Sequence, residues 1–229
     1  MAGDEITVFA TAAVQEAYNV LVPQFNADGP YRVTTTWVPT VDLLVRIKNG
    51  ERPDVVIMSA AGIDELVAVG RLAAGGRTDL ASSGIGVAVR KGAPRPDIST
   101  TEALVRALKA ATSVSYSTGP SGVYLAKLFE RIGIAATLAP KLKVVKGEPI
   151  GAVVARGDAE IGFQQIPELL PVTGIDLVGP LPAELQQVTI FSAGLPVGLE
   201  HAAGPAALLA FLRTPAAQAV FREKGMKPA

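Results

Sequence analysis

The stretch Ser117–Gly122, STGPSG, lies between a short alternating run, Ser113–Ser117, and a segment in which Tyr124, Leu125, Leu128, Phe129 and Ile132 recur at helical spacing. Strand, tight turn of small residues and helix form an arrangement that offers first-turn N–H groups with no acceptor inside the helix. Such a turn can hold a nucleophile, a phosphate, a free anion or nothing. A serine nucleophile needs Gly-x-Ser-x-Gly and a base within reach. GPSG lacks that outer spacing, and the single histidine, His201, falls in the loop-like GLEHAAGP. A phosphate loop would end in Gly-Lys-Ser/Thr, which GPSGVYLAK does not, and Gly84-Ile85-Gly86 lacks the third glycine and helix start of a dinucleotide fingerprint. Asp64-Glu65 and Asp158/Glu160 read as solvated positions rather than a metal cluster. Without an acid–base pair or a nucleophile set, the chain is expected to carry no catalytic residue, not to be an enzyme, and to use no cofactor or metal.

The remaining reading is an anion held by amides, and the elements around the turn repeat the plan. Ile6–Ala10 is a strand followed by Thr11-Ala12-Ala13 and an apolar helical face of Val14, Tyr18, Leu21, Val22 and Phe25, with Pro23 expected to kink or end that helix. Val55–Met58 is a buried strand followed by Ser59-Ala60-Ala61-Gly62 and a helix over 63–69. Lys146-Gly147-Glu148-Pro149 precedes another helix, with proline where the first turn needs no N–H. Tyr31–Val38 is β-rich, residues 42–49 form a helix closed by Gly50, Gly84–Arg90 is a strand, and Thr100 is the expected N-cap of the helix from Glu102. Strands alternating with helices predict an α/β fold with mainly parallel sheets. In such sheets ligands bind beyond the carboxyl ends of the strands, where these turns gather. Each helix N-terminus there carries about half a positive charge on unpaired amides, which makes an anion site without formal charge.

Bulk properties narrow the partners. The 229 residues include 21 basic and 21 acidic side chains, so charge gives no reason to expect nucleic acid or an anionic membrane surface. No apolar run is long enough to span a bilayer. Cysteine is absent, which excludes disulfides, thiolate metal sites and cysteine nucleophiles together. The opening MAGDE leads straight into a strand pattern: AGDE suits the small-residue side of a cleavage junction, giving a periplasmic protein whose signal peptide is removed, and a cytoplasmic one if the native chain starts here.

Four segments, ITVFATAAVQEAY, GERPDVVIMSA, GPSGVYLAKLFERIGI and the terminal AFLRTPAAQAVFREKGM, resemble the periplasmic solute-binding proteins of bacterial ABC importers, in the molybdate-binding-like branch. The match runs through nearly the whole chain in order. The resemblance implies a two-lobed type II periplasmic-binding-protein architecture with a ligand cleft between lobes. It implies one lobe from 1–84 and 194–229 and another from 85–193, with crossings near 83–87 and 190–195. It also implies a monomer and a permease partner. Its oxyanion ligands are held by junction amides and hydroxyls, here Thr11, Ala12, Ala13, Thr40, Val41, Ser59, Ala60, Ser117, Thr118, Gly119, Ser121, Gly122 and Gly147, with Gln164 or Gln165 where the family places a tyrosine. Serines usual at Ala13 and before the second helix are missing. Two amide side chains suit a planar carboxylate better than a bare tetrahedron. The expected function is therefore capture of a small anion for uptake, an organic carboxylate ahead of molybdate or tungstate. The alternatives are a metabolite-sensing effector domain of the same fold and a binding protein for a neutral polar solute.

Overall fold

The computed structural model describes residues 4–229, so the first residues of the suggested cleavage junction lie outside it. Chain contacts divide it into two units, Met1–Ser83 with Thr189–Ala229, and Gly84–Val188. The second crossing falls five residues before the expected 193/194, because residues 189–194 form a strand in the middle of the first unit's sheet.

In the first unit the order is β1 (Asp4–Ala10), a 3-10 turn at Ala12–Val14, α1 (Gln15–Asp28), β2 (Tyr31–Trp37), α2 (Thr40–Lys48), β3 (Val55–Ser59), α3 (Ala60–Ala68) and β4 (Thr78–Ser83). The second unit runs β5 (Ile85–Arg90), α4 (Thr101–Ala110), β6 (Val114–Ser117), α5 (Pro120–Arg131), α6 (Ala135–Leu138), β7 (Leu142–Val145), α7 (Ile150–Ala155), β8 (Ile161–Gln165), α8 (Ile166–Leu169) and β9 (Ile175–Pro180). The first unit is completed by β10 (Thr189–Gly194), α9 (Ala203–Leu212), α10 (Pro215–Glu223) and β11 (Lys227–Pro228).

Among the described residues the sheets have the orders β11-β4-β10-β3-β1-β2 and β7-β6-β8-β5-β9. Both are mixed rather than mainly parallel. Only β1 with β2 and β3, and β6 with β7 and β8, pair in parallel, and these are the strands followed directly by helices. Strands β10 and β5 enter their sheets from the chain crossings, not through a helical crossover, and nothing then requires parallel pairing.

The cores follow the apolar pattern. Val8, Tyr18, Leu21, Ile57, Phe191, Leu208 and Phe221 pack in one cluster of the first unit, and Val38, Leu43, Met58, Ile63 and Leu66 in another. The second unit packs Val87, Leu104, Leu125, Phe129 and Phe163. Pro23 does not stop α1, which continues to Asp28. Leu21 and Phe25 on either side are buried and hold the helix, and the carbonyl that loses its donor belongs to Asn19, an exposed residue that water can serve. Thr100 caps α4 as expected, accepting from Ala103 N–H at 3.1 Å, and Gly50 takes φ 104° after α2.

Candidate functional site

In the first unit the parallel strands bring three junctions to one sheet edge. Ala10 is in register with Trp37 of β2 and Ile57 of β3, so Thr11, the Val38–Val41 segment and Ser59-Ala60 leave the sheet side by side. The N–H of Thr11 donates to the Ile57 carbonyl at 3.0 Å, which ties the first junction to β3. The Thr11 hydroxyl is buried and has no hydrogen-bond partner in the protein. Ala12 and Ala13 open the 3-10 turn, and Thr40 and Val41 open α2, positions whose N–H groups precede any intrahelical acceptor. Thr11 and Pro39, the residues before these helices, make no side-chain cap bond. Ser59 does cap its helix: its Oγ accepts from Gly62 N–H at 3.4 Å, and β3 passes into α3 with no intervening turn. A hydroxyl that accepts from the backbone keeps its own proton for donation.

The second unit repeats the geometry. Ser117 is in register with Val145 of β7, and Tyr116 with Phe163 of β8, so Ser117–Gly122, the Lys146–Pro149 turn and Gln164–Gln165 share an edge. Not every amide expected there is available. Thr118 N–H donates to the Val145 carbonyl at 3.1 Å, and Gly119 N–H to Ser117 Oγ at 3.3 Å. Pro120, at the first position of α5, has no N–H, which leaves Ser121 and Gly122 as the amides of this turn that precede an intrahelical acceptor. Gly122 is glycine for a steric reason. A Cβ there would stand 1.6 Å from the Ser117 carbonyl oxygen and 2.9 Å from Cδ2 of Tyr116. The turn therefore wraps back onto its own strand end. Gly147 takes φ 76° and is exposed.

Gln164 and Gln165 are both buried at the end of β8. The Gln164 side chain reaches the start of α7, where its Oε1 accepts from Ile150 N–H at 2.9 Å. The leading amide of that junction is therefore already engaged. Gln164 Nε2 donates to Oε2 of Glu168 at 2.6 Å. Glu168 was not singled out by the sequence, since an acid in PELL reads as a surface residue. Burial pushes its carboxyl from the ordinary 4.5 up to about 7, against the opposing pull of the Gln164 bond. The signal that would have found it is its place four residues after Gln164, on the helix that leaves β8. Among the described residues no group of three or more His, Cys, Asp or Glu is arranged to hold a metal ion. His201 is exposed.

These junctions offer hydrogen-bond donors at two sheet edges, the second of which also includes Lys146 in its turn and a carboxyl, Glu168, poised near neutrality. Comparisons place the chain in a family. A protein from Pseudomonas sp. named aconitate isomerase is 42% identical over 184 residues, covering 80% of this chain and 70% of its own. That relative is named as an enzyme, and it overturns the expectation of a chain without catalysis. Among solved structures, the periplasmic molybdate-binding protein of Azotobacter vinelandii has a TM-score of 0.81 at 16% identity, with 98% of this chain and 99% of that one covered. The sulfate-binding protein SubI of Mycobacterium tuberculosis H37Rv has a TM-score of 0.82 at 20% identity, covering 99% and 87%. At these identities the two structures share the fold. Residues 6–227 match the family described as bacterial extracellular solute-binding protein, and the chain belongs to that family.

Proposed function

We propose that this protein binds a small polycarboxylate and interconverts its geometrical isomers, with aconitate as the ligand. The observation that carries this reading is the 42% identity, across 80% of the chain, to a relative named aconitate isomerase. The junction chemistry supports it. A tricarboxylate presents only acceptors when ionised. Each unit by itself offers donors of the kind that recognise it: first-turn N–H groups of Ala12, Ala13, Thr40 and Val41 in the first, and of Ser121 and Gly122 in the second. The hydroxyls of Thr11 and Ser59 add to the first unit's donors, and the Ser117 hydroxyl and the Gln164 and Gln165 amides to the second's. Ala60, Thr118, Gly119 and Gly147 shape the turns. A monomer working in the periplasm suits the solute-binding family.

The test is direct. Purified protein is incubated with trans-aconitate and, separately, with cis-aconitate, and both isomers are followed by proton NMR. Approach to one equilibrium mixture from both sides supports the proposal, whereas unchanged spectra at high protein concentration refute it. A second reading, capture for import by an ABC permease, is favoured by the family itself. Tight binding of a carboxylate without turnover in calorimetry is the result that would select it.

A further inference from the structure

We infer that the Glu168 carboxyl, positioned by the Gln164 amide at the β8–α8 edge of the second unit, carries the proton to and from the bound ligand. The inference rests on the isomerase reading and names the group that does its chemistry. Glu168 lies on α8, directly after β8, so it leaves the sheet at the end where the α5 and α7 junctions leave it. Its Oε2 is fixed by Gln164 Nε2 at 2.6 Å, and Gln164 is fixed in turn by Ile150 N–H at 2.9 Å. This chain of two bonds aligns the carboxyl without supplying a counter-charge. Of the elements packed on α8, β8 and α7 contain no ionisable side chain. Strand β5 contains Arg90, at the end opposite the Ile85–Gln165 pairing. A carboxyl held by a neutral amide and facing no cation on these elements exchanges its proton near neutrality, as its raised pKa of about 7 reflects.

The step balances on the ligand alone. The ionised carboxylate takes a proton from the methylene carbon of a propene tricarboxylate, and the C–H electron pair spreads over the three-carbon unit and its carboxylates. The same carboxyl then returns the proton to the carbon that was vinylic. One C–H bond breaks and one forms, and no electron leaves. The new double bond forms along the former single bond, with the geometry in which the ligand was held there.

Wild type, Glu168→Gln and Glu168→Asp are compared by proton NMR with aconitate in D2O from about pH 5 to pH 9, with calorimetric Kd and melting temperature for each. The expected wild-type behaviour is deuterium incorporation at the methylene and vinylic carbons, with kcat falling below about pH 7. E168Q is expected to bind aconitate within about threefold of wild type and to lose kcat by about 10²- to 10⁴-fold. E168D is expected to keep part of the rate with a displaced pH profile. If E168Q turns over within about threefold of an active wild type, or loses rate only through binding or folding, the Glu168 assignment is overturned while the isomerase reading stands. If the wild type neither isomerises nor exchanges, the isomerase reading itself falls, and this assignment with it.

Discussion

Replacing Gly122 by alanine tests the amide-donor reading at its tightest point. The added Cβ would lie 1.6 Å from the Ser117 carbonyl oxygen and 2.8 Å from its carbon, both backbone atoms that cannot rotate away. The start of α5 must therefore move off the end of β6, and the Ser121 and Gly122 N–H groups move with it. A hydrogen bond from an amide to a charged acceptor contributes about 1.5–3 kcal/mol. Loss of both donors is then about 3–6 kcal/mol, a weakening of roughly a hundredfold to ten-thousandfold. Crowding of this kind also lowers stability by about 1–3 kcal/mol. Calorimetry with aconitate, at a temperature where thermal melting shows the variant folded, measures the first effect apart from the second. Gly119→Ala is the control, since its Cβ would meet only Ser117 Oγ at 3.4 Å, and it is expected to bind within about threefold of wild type. A folded Gly122→Ala protein with wild-type affinity would show that these amides do not touch the ligand.

Further outcomes follow from single groups. Glu168 binds its proton more tightly in the folded protein than in the unfolded chain, so its contribution falls as pH rises from about 4.5 through about 7. E168Q is therefore expected to match wild type in urea denaturation near pH 4.5 and to exceed it by about 3 kcal/mol above pH 8, and equal stabilities at both pH values would contradict the burial argument. Thr11→Val removes a buried hydroxyl that has no protein partner. Stability should hold or rise by about 1 kcal/mol while ligand affinity drops about tenfold, and unchanged affinity would remove Thr11 from the site. Gln186 binds both backbone groups of Ile85, accepting from its N–H at 2.8 Å and donating to its carbonyl at 3.0 Å. Gln186→Ala should lower unfolding free energy by about 1–3 kcal/mol in thermal melts, and a loss below about 0.5 kcal/mol would show that water replaces the side chain without penalty.

The junctions were legible because their signals are local. Thr100 announces a helix start through its cap and Pro149 the start of α7 through a missing N–H, and the alternation of strand and helix announces the α/β plan, whereas α3 begins at Ala60, inside the stretch that reads as a turn. What escaped depends on partners distant in sequence. The amides of Thr118 and Ile150 are engaged by Val145 and Gln164, contacts set by strand register and not by spacing along one segment. Glu168 is partly buried because α7 and β5 pack on a short helix, which no residue of PELL records. The reversed strands β5 and β10 were equally hidden, since an apolar run looks the same in either direction.

Strand β10 lies between β3 and β4 in the first sheet, and β11 covers the far side of β4. During synthesis the continuous segment 84–188 is complete on emergence from the ribosome, whereas β3 and β4 wait with bare edges for a strand made more than a hundred residues after β4 begins. Unpaired edges of that kind invite pairing with other chains. The nascent chain therefore depends on holding the strands before residue 84 open, shielded from neighbours, until residues 189–229 arrive.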